Sequence, residues 1–342
     1  MISLKKDVAC ALAAFLCAAT FTGCAGAGKG NGTSPSSQAL EKVTLNEVAH
    51  SIFYAPMYVA IEEGYFAEEG IELELVTGFG ADKTMTAVLA GEADIGFMGS
   101  ESSIYTYVRG IDDPVVNFAQ LTQRAGNFVV AREPMENFDW SMLIGADVLG
   151  GRAGGMPEMV FEYVLKKNGI DPEEVNIDQS IDFGSTAAAF SGGKGEYSVE
   201  FEPYATSLEV KGDGYIVASV GEASGYVPYT AFCATSSYLE EHGDTVQGFV
   251  NALQKGLDYV NSHTTEEIAA VIAPQFEETE EENLILIVER YASQDTWPEM
   301  LVFSRDSFEL LEQILIEAGE LEEMVSYEEL VDTTFAEAAK QK

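Results

Sequence analysis

Of the 342 residues, 57 are Asp or Glu and 18 are Lys or Arg, a formal charge of −39. A chain so acidic has no basic surface with which to neutralise phosphates, which excludes nucleic acid as a partner, and charge alone cannot hold it on anionic lipid. Once the two ends are set aside, roughly 300 residues remain, enough for one large domain or two lobes.

The chain opens MISLKKDVACALAAFLCAATFTGCAGAG. Lys5 and Lys6 make a positive start, and Val8 to Thr22 is an apolar run too short to span a bilayer comfortably. Phe21-Thr22-Gly23-Cys24 then resembles the bacterial lipobox, in which the cysteine carries the lipid and becomes the mature N-terminus. Residues 1–23 are expected to be a lipoprotein signal peptide, and 24–41, rich in Gly and Ser, a flexible leash. Of the 4 cysteines, Cys10 and Cys17 leave with the signal peptide and Cys24 is lipidated. Cys233 alone remains, so the exported domain holds no internal disulfide and stands on its core.

From residue 43 onward, short apolar runs alternate with amphipathic stretches. Residues 43–48 read as a strand, 56–66 as a helix, and 71–77 as a strand by alternation of Ile71, Leu73 and Leu75 with Glu72 and Glu74. Residues 82–91 form a helix stopped at Gly91, and 93–99 a short buried strand; this alternation predicts a parallel α/β sheet. The scheme repeats in the second half. Thr86 to Phe97 and Thr186 to Tyr197 each run helix, glycine stop, acid, strand, which suggests two lobes facing one another. Two long apolar strands, 116–133 and 226–237, read as the connections between lobes, with breaks at Gly126-Asn127 and at Pro228. From about Leu239 the pattern is almost wholly helical, with apolar stripes and charged backs that mean packing. The acidic run Glu277 to Glu282 reads as a solvated helix start, since it lacks the Asp/Asn-Gly loop of a calcium site.

Between the two connections lies GGRAGGMPEMVFEYVLKKNG, Gly150 to Gly169. Val160, Phe161, Val164 and Leu165 recur at helical spacing, Pro157 and Glu158 suit a helix start and Gly169 its end. A glycine turn feeding a helix N-terminus is a cradle for a polar ligand, because its N–H groups lack partners. It matches neither the P-loop nor the dinucleotide spacing.

Three stretches in order, HSIFYAPMYVAIEEGYFAEEGIELELV (50–76), AVLAGEADIGFMG (87–99) and AAAFSGGKGEYSVEFEPYATSLE (187–209), resemble the ABC-transporter substrate-binding proteins of the alkanesulfonate, nitrate and thiamine-pyrimidine-precursor group. The resemblance covers nearly all of the chain after the leash. It implies an α/β, two-lobed periplasmic-binding-protein fold of type II, with two crossover strands and a ligand cleft between lobes. Residues 42–125 would form the first part of lobe one, 126–228 lobe two, and 229–342 the return to lobe one with the C-terminal helices. It also implies a role without chemistry and without a cofactor or metal: an extracytoplasmic, lipid-anchored monomer that captures a small molecule by hinge closure and delivers it to an ABC permease and its cytoplasmic ATPase.

Carried over residue by residue, the resemblance places the ligand at strand ends. In lobe one these are His50, Phe53 and Tyr54, the loop 78–83, and Gly99, Ser100 and Glu101. In lobe two they are Arg152, Gly154, Gly155, Met156 and Glu158 of the glycine stretch, then Ser185, Phe201 and Glu202. Phe53, Tyr54 and Phe201 either stack on a flat ring or serve as core aromatics. Glu101 and Glu202 suit a neutral or cationic nitrogen heterocycle, aminopyrimidine-like, whose N–H groups they can accept. Arg152 fits an anion of the alkanesulfonate or nitrate type, or else neutralises one of those glutamates. His50 is either structural or a hydrogen-bond partner, His242 and His263 read as surface, and Cys233 as a buried apolar residue. A pyrimidine-synthase-like enzyme on the same fold is the alternative of a different class; no cysteine cluster or hydrolase motif supports it.

Overall fold

The computed structural model describes residues 40–181 and 184–339. The expected signal peptide, the lipidation candidate Cys24 and almost all of the leash lie outside the described residues. Ten strands appear in chain order: β1 (Glu41–Glu47), β2 (Ile71–Thr77), β3 (Ile95–Gly99), β4 (Val115–Thr122), β5 (Asn127–Ala131), β6 (Asp147–Leu149), β7 (Asn176–Asp178), β8 (Tyr197–Phe201), β9 (Tyr215–Ser219) and β10 (Thr230–Thr235). They form two sheets of identical plan, β2-β1-β3-β10-β4 and β7-β6-β8-β5-β9. The fold is therefore α/β and two-lobed. The chain passes from the first sheet to the second between β4 and β5 and returns between β9 and β10.

In each sheet four strands run in one direction, three of them side by side, whereas β10 and β5 run antiparallel to both their neighbours. The parallel sheet expected from the strand-helix alternation is thus mixed. The reason is topological: β10 and β5 are the strands that enter from the other lobe, so no crossover helix sets their direction. The apolar run 116–133 is not one strand but β4 and β5, separated by a turn at 123–126. In the run 226–237 the strand is confined to 230–235, beyond Pro228, which has no N–H to give a ladder. The helix expected over 56–66 breaks at Gly64, giving helices Ala55–Glu62 and Tyr65–Glu68. Apolar side chains from each sheet and its helices fill the core. Phe97 and Phe232 stack at 4.2 Å across β3 and β10, and Phe161 and Val164 of the Met156–Lys167 helix are fully buried in the second lobe.

The C-terminal helices do more than pack. Helix Glu281–Ser293 rests on helix Thr265–Ile272 and on the Ile52–Tyr54 turn of lobe one, and its end reaches into lobe two. Arg290 donates to Glu202 at 2.7 Å and to Glu209 at 2.5 Å. The Tyr291 hydroxyl donates to the Gly126 carbonyl at 2.9 Å, and the Gln294 amide to the Ala125 carbonyl at 3.1 Å. Just beyond, Trp297 donates its indole N–H to the Phe53 carbonyl at 2.9 Å. Among the described residues no helix is long and apolar enough to cross a membrane.

Arg290→Met leaves the fully buried Glu202 carboxylate without its counter-charge, and removing one partner of such a pair costs about 3 kcal/mol or more. Urea unfolding should show that loss as a lowered midpoint. Arg305→Met, which breaks an exposed pair with Glu328, should leave the midpoint where it was.

Candidate ligand cleft between the lobes

The lobes meet where the strand ends of one face those of the other. Lobe one presents helix Glu101–Val108, which starts directly after β3. Lobe two presents the glycine turn 150–155 and helix Met156–Lys167. Tyr105 on the first helix donates its hydroxyl to the Gly154 carbonyl of the turn at 3.0 Å. Asp82 and Arg152 pair across the mouth at 3.3 Å, both more than half exposed. Closer to the crossovers, the Ser51 hydroxyl donates to the Glu202 carbonyl at 2.9 Å.

Glu101 lies at the centre of this contact and is 2 % exposed. Its carboxylate folds back over Gly99, where an added Cβ would stand 2.2 Å from one oxygen; only glycine permits that approach. Burial pushes its pKa up to about 7, against the backbone N–H groups of Glu101 and Met156 and the charge of Arg152, which favour ionisation. The N-terminus of the lobe-two helix therefore points at a carboxylate of lobe one, as helix dipoles favour. One of its oxygens, Oε2, is buried without a hydrogen-bond partner. Two further buried polar atoms in the same region are also unpartnered: Asn127 Oδ1 at the start of β5 and the Tyr229 hydroxyl just before β10. Asn127 gives its amide to the Pro157 carbonyl, one residue from Met156. Tyr229, like Tyr54 and Tyr105, has its hydroxyl pKa raised by burial and then by nearby charge that includes Glu101. Buried polar groups are nearly always satisfied, and these three atoms, one of them the carboxylate's own oxygen, are exceptions.

The remaining expected residues divide into three sets. Phe53, Tyr54 and Phe201 do come together, but as packing about the crossovers. Phe53 is fully buried, with its ring 5.9 Å from Phe201, 5.6 Å from Tyr229 and 5.2 Å from Tyr291. Its face lies against Gly126, where a Cβ would sit 2.7 Å from the ring. Tyr54 packs on Phe97 at 4.5 Å. Ser100 donates to the Pro228 carbonyl at 2.6 Å and so ties lobe one to the returning chain. A second set has its polar atoms engaged elsewhere. Glu202 accepts from the Thr206 N–H at 2.8 Å, the Thr206 hydroxyl at 2.9 Å and Arg290, so its carboxylate is engaged by the first turn of helix Tyr204–Lys211 and ties lobe two to helix 281–293. His50 bridges Glu47 at 2.9 Å and the Gln275 carbonyl at 2.8 Å and lies 4.7 Å from the Phe276 ring, a structural tie. Glu158 turns back into its own glycine turn, accepting from Gly154 N–H at 3.3 Å and from Gln179 at 2.6 Å. Ser185 is exposed at the start of helix Thr186–Ser191. The third set, Gly154, Gly155 and Met156, forms the turn and helix start that face Glu101.

Glu200 of β8, beside Phe201 and Glu202, is a further buried carboxylate on the lobe-two side. It is 2 % exposed, accepts from Thr186 at 2.9 Å and from Ser198, and burial raises its pKa to about 7. It lines a cavity of about 20 Å³ with Gly150, Pro157, Gly184, Phe201 and Tyr204 on the lobe-two side. Strand alternation from Ser198 puts Glu200 on the polar side, a signal the sequence carried. Asn127 and Tyr229 had no such signal beyond their places beside the crossover breaks.

Comparison with known proteins places this geometry. The family model described as "NMT1/THI5 like" matches residues 52–267. The protein YtlA of Bacillus subtilis (strain 168) is 46% identical over 301 residues, covering 88% of this chain and 90% of its own. A formylaminopyrimidine-binding protein of Halalkalibacterium halodurans is 25% identical over 310 residues, 83% of this chain and 90% of that one. Among solved structures, the alkanesulfonate-binding protein SsuA of Xanthomonas axonopodis pv. citri, bound to MOPS, superposes with a TM-score of 0.69 at 15% identity, over 87% of this chain and 100% of that one. That likeness is one of fold, and it agrees with the two sheets and two crossovers described above. With a family model that spans most of the described residues and a relative nearly half identical along the chain, this protein belongs to the NMT1/THI5-like family.

Proposed function

We propose that the chain is the solute-binding component of an ABC importer and that its ligand is a small cationic or N–H-rich nitrogen heterocycle, aminopyrimidine-like, held between the lobes. One observation carries the choice of ligand: the Glu101 carboxylate is buried where the lobes meet, with an oxygen free to accept and no cation within hydrogen-bonding distance. Asn127 Oδ1, beside the start of helix Met156–Lys167, is a second unpartnered acceptor, and the Tyr229 hydroxyl either donates or accepts. A ring bearing an amine or amidine N–H pair matches such a set, and a charge-assisted bond to Glu101 would be its strongest contact. The formylaminopyrimidine specificity named for one relative supports the same class.

The second reading, an alkanesulfonate or nitrate-type anion, rests on Arg152 and on the fold shared with SsuA. Arg152 is half exposed and paired with Asp82, so it serves better as a clasp across the mouth than as a buried anion site. Glu101 and Glu200 bring no positive charge to the interior and, once ionised above about pH 7, would repel an anion. The same proposal takes 42–125 with 229–342 as lobe one, 126–228 as lobe two, Cys24 as the lipid anchor outside the cytoplasm, a monomer, and a permease with its ATPase as partners. Function then needs capture and closure and no bond-making step.

A thermal-shift screen of the full chain should find stabilisation by aminopyrimidines and amidines, about 2.7 kcal/mol at a hundredfold excess over Kd. Glu101→Gln should weaken that ligand by about thirtyfold or more, the cost of removing one partner of a buried charged contact. A shift with sulfonates alone would reject the cationic reading.

The pH dependence follows in sign from the raised carboxyl. Below about pH 7 Glu101 is protonated in the free protein, so a cation must displace that proton to bind. With an amidinium ligand, whose own charge is constant over this range, affinity should fall about tenfold for each unit below pH 7. Calorimetric titrations at pH 6 and pH 8 should show the fall in the wild type and little of it in Glu101→Gln. Without ligand the trend reverses. Glu101 and Glu200 hold protons more tightly folded than unfolded, so their stabilising contribution is complete below the unfolded carboxyl pKa and is lost as pH rises through about 7. The melting temperature of the free protein should accordingly decline between pH 5 and pH 8.

A further inference from the structure

A second cavity, a groove of about 650 Å³, shares no lining residue with the cleft contacts described above. Its walls include Gln123 of the first crossover and Tyr226 and Val227 of the second, so it sits against both passages between the lobes. These passages are bonded to each other there, Val227 N–H to the Gln123 carbonyl at 2.9 Å. Two glutamines of the wall, Gln120 and Gln254, are more than nine-tenths buried, and each has an amide oxygen with no hydrogen-bond partner. Their orientation is determined, because each gives its N–H₂ to acceptors: Gln254 to Asp258 at 2.8 Å and to the Glu299 carbonyl at 3.2 Å, Gln120 to the Thr122 carbonyl at 3.2 Å. Exchanging N and O would set donor against nothing and acceptor against acceptor. The two glutamines are neighbours across one segment, since Gln120 N–H bonds the Leu301 carbonyl two residues from Glu299. Asp258 adds a negative charge, none of the lining residues is Lys or Arg, and Val227, Met300 and Val302 supply apolar wall.

Unpartnered buried acceptors, an acid, no competing cation and an apolar side define the chemistry that fits. We propose that this groove is a second binding site, for a small aliphatic amine whose ammonium group is held by Gln254, Gln120 and Asp258 and whose hydrocarbon lies on Met300 and Val302. An ammonium has three donors and no acceptor, the complement of this wall. The site does not depend on which ligand occupies the cleft. Titration of the full chain with putrescine, followed by calorimetry, should show one saturable binding event. Gln254→Met and Asp258→Asn should each weaken it at least tenfold, and Glu101→Gln should leave it unchanged. Asp258 is exposed, so its variant keeps the test open should Gln254→Met fail to fold. Absence of saturable binding would overturn the proposal. So would putrescine binding that survives both groove variants and is lost in Glu101→Gln, which would place the amine in the cleft.

Discussion

A carboxylate buried between two lobes constrains everything around it. Glu101 is taken out of water when the lobes meet, and burial prevails over the N–H groups and the distant arginine that favour its charge. Alone it is an electrostatic liability; with a cation beside it the same burial becomes affinity, because the low local dielectric strengthens the contact that replaces water. The glycine at 99 and the helix N-terminus at Met156 both accommodate that group. Lobe one contributes the acid, the two crossovers contribute Asn127 and Tyr229, and lobe two contributes the helix end. On the proposed reading, such a site is complete only when the lobes are together.

The crossovers are held by a cluster that meets the proposed ligand groups at the Tyr229 ring, which packs on Phe53. Phe53, Tyr291 and Trp297 pack against or bond to Gly126 and the Phe53 backbone, and Arg290 fixes the base of lobe two through Glu202 and Glu209. Helix 281–293 thus belongs by sequence to the C-terminal helical third and by contacts to both lobes. Glu202 and Glu101 look alike in composition, yet one is neutralised by an arginine and a helix start while the other faces an open valence. The difference lies in the partner each finds across the fold, not in the residue.

Much of this was legible in advance and some was not, for identifiable reasons. Local rules sufficed for β2, where Ile71, Leu73 and Leu75 alternate with glutamates, and for the glycine turn and helix at 150–167. The repeat of helix, glycine stop and strand in both halves corresponds to β3 and β8, which hold equivalent places in the two sheets. Long-range contacts defeated the rest. His50 lies at the end of the first strand as expected, but Gln275, 225 residues away, takes its free nitrogen. Arg290 is a single basic residue in an apolar and acidic helix, and nothing nearby in sequence announces that it pairs with Glu202, just beyond β8, and with Glu209. Asn127 and Tyr229 acquire their meaning from the crossing of two chain segments, and no periodicity encodes a crossing.

The most direct test of the account is the titration of Glu101 itself, followed through its side-chain carboxyl carbon by NMR on selectively labelled protein, with and without a bound amidinium heterocycle. The account predicts a midpoint near 7 in the free protein and a shift well downward when the cationic ligand is bound, since a neighbouring positive charge favours the ionised form. A carboxyl that titrates at the same pH in both states would mean that the ligand does not meet Glu101, and the cleft would have to be read again from its anion-facing residues.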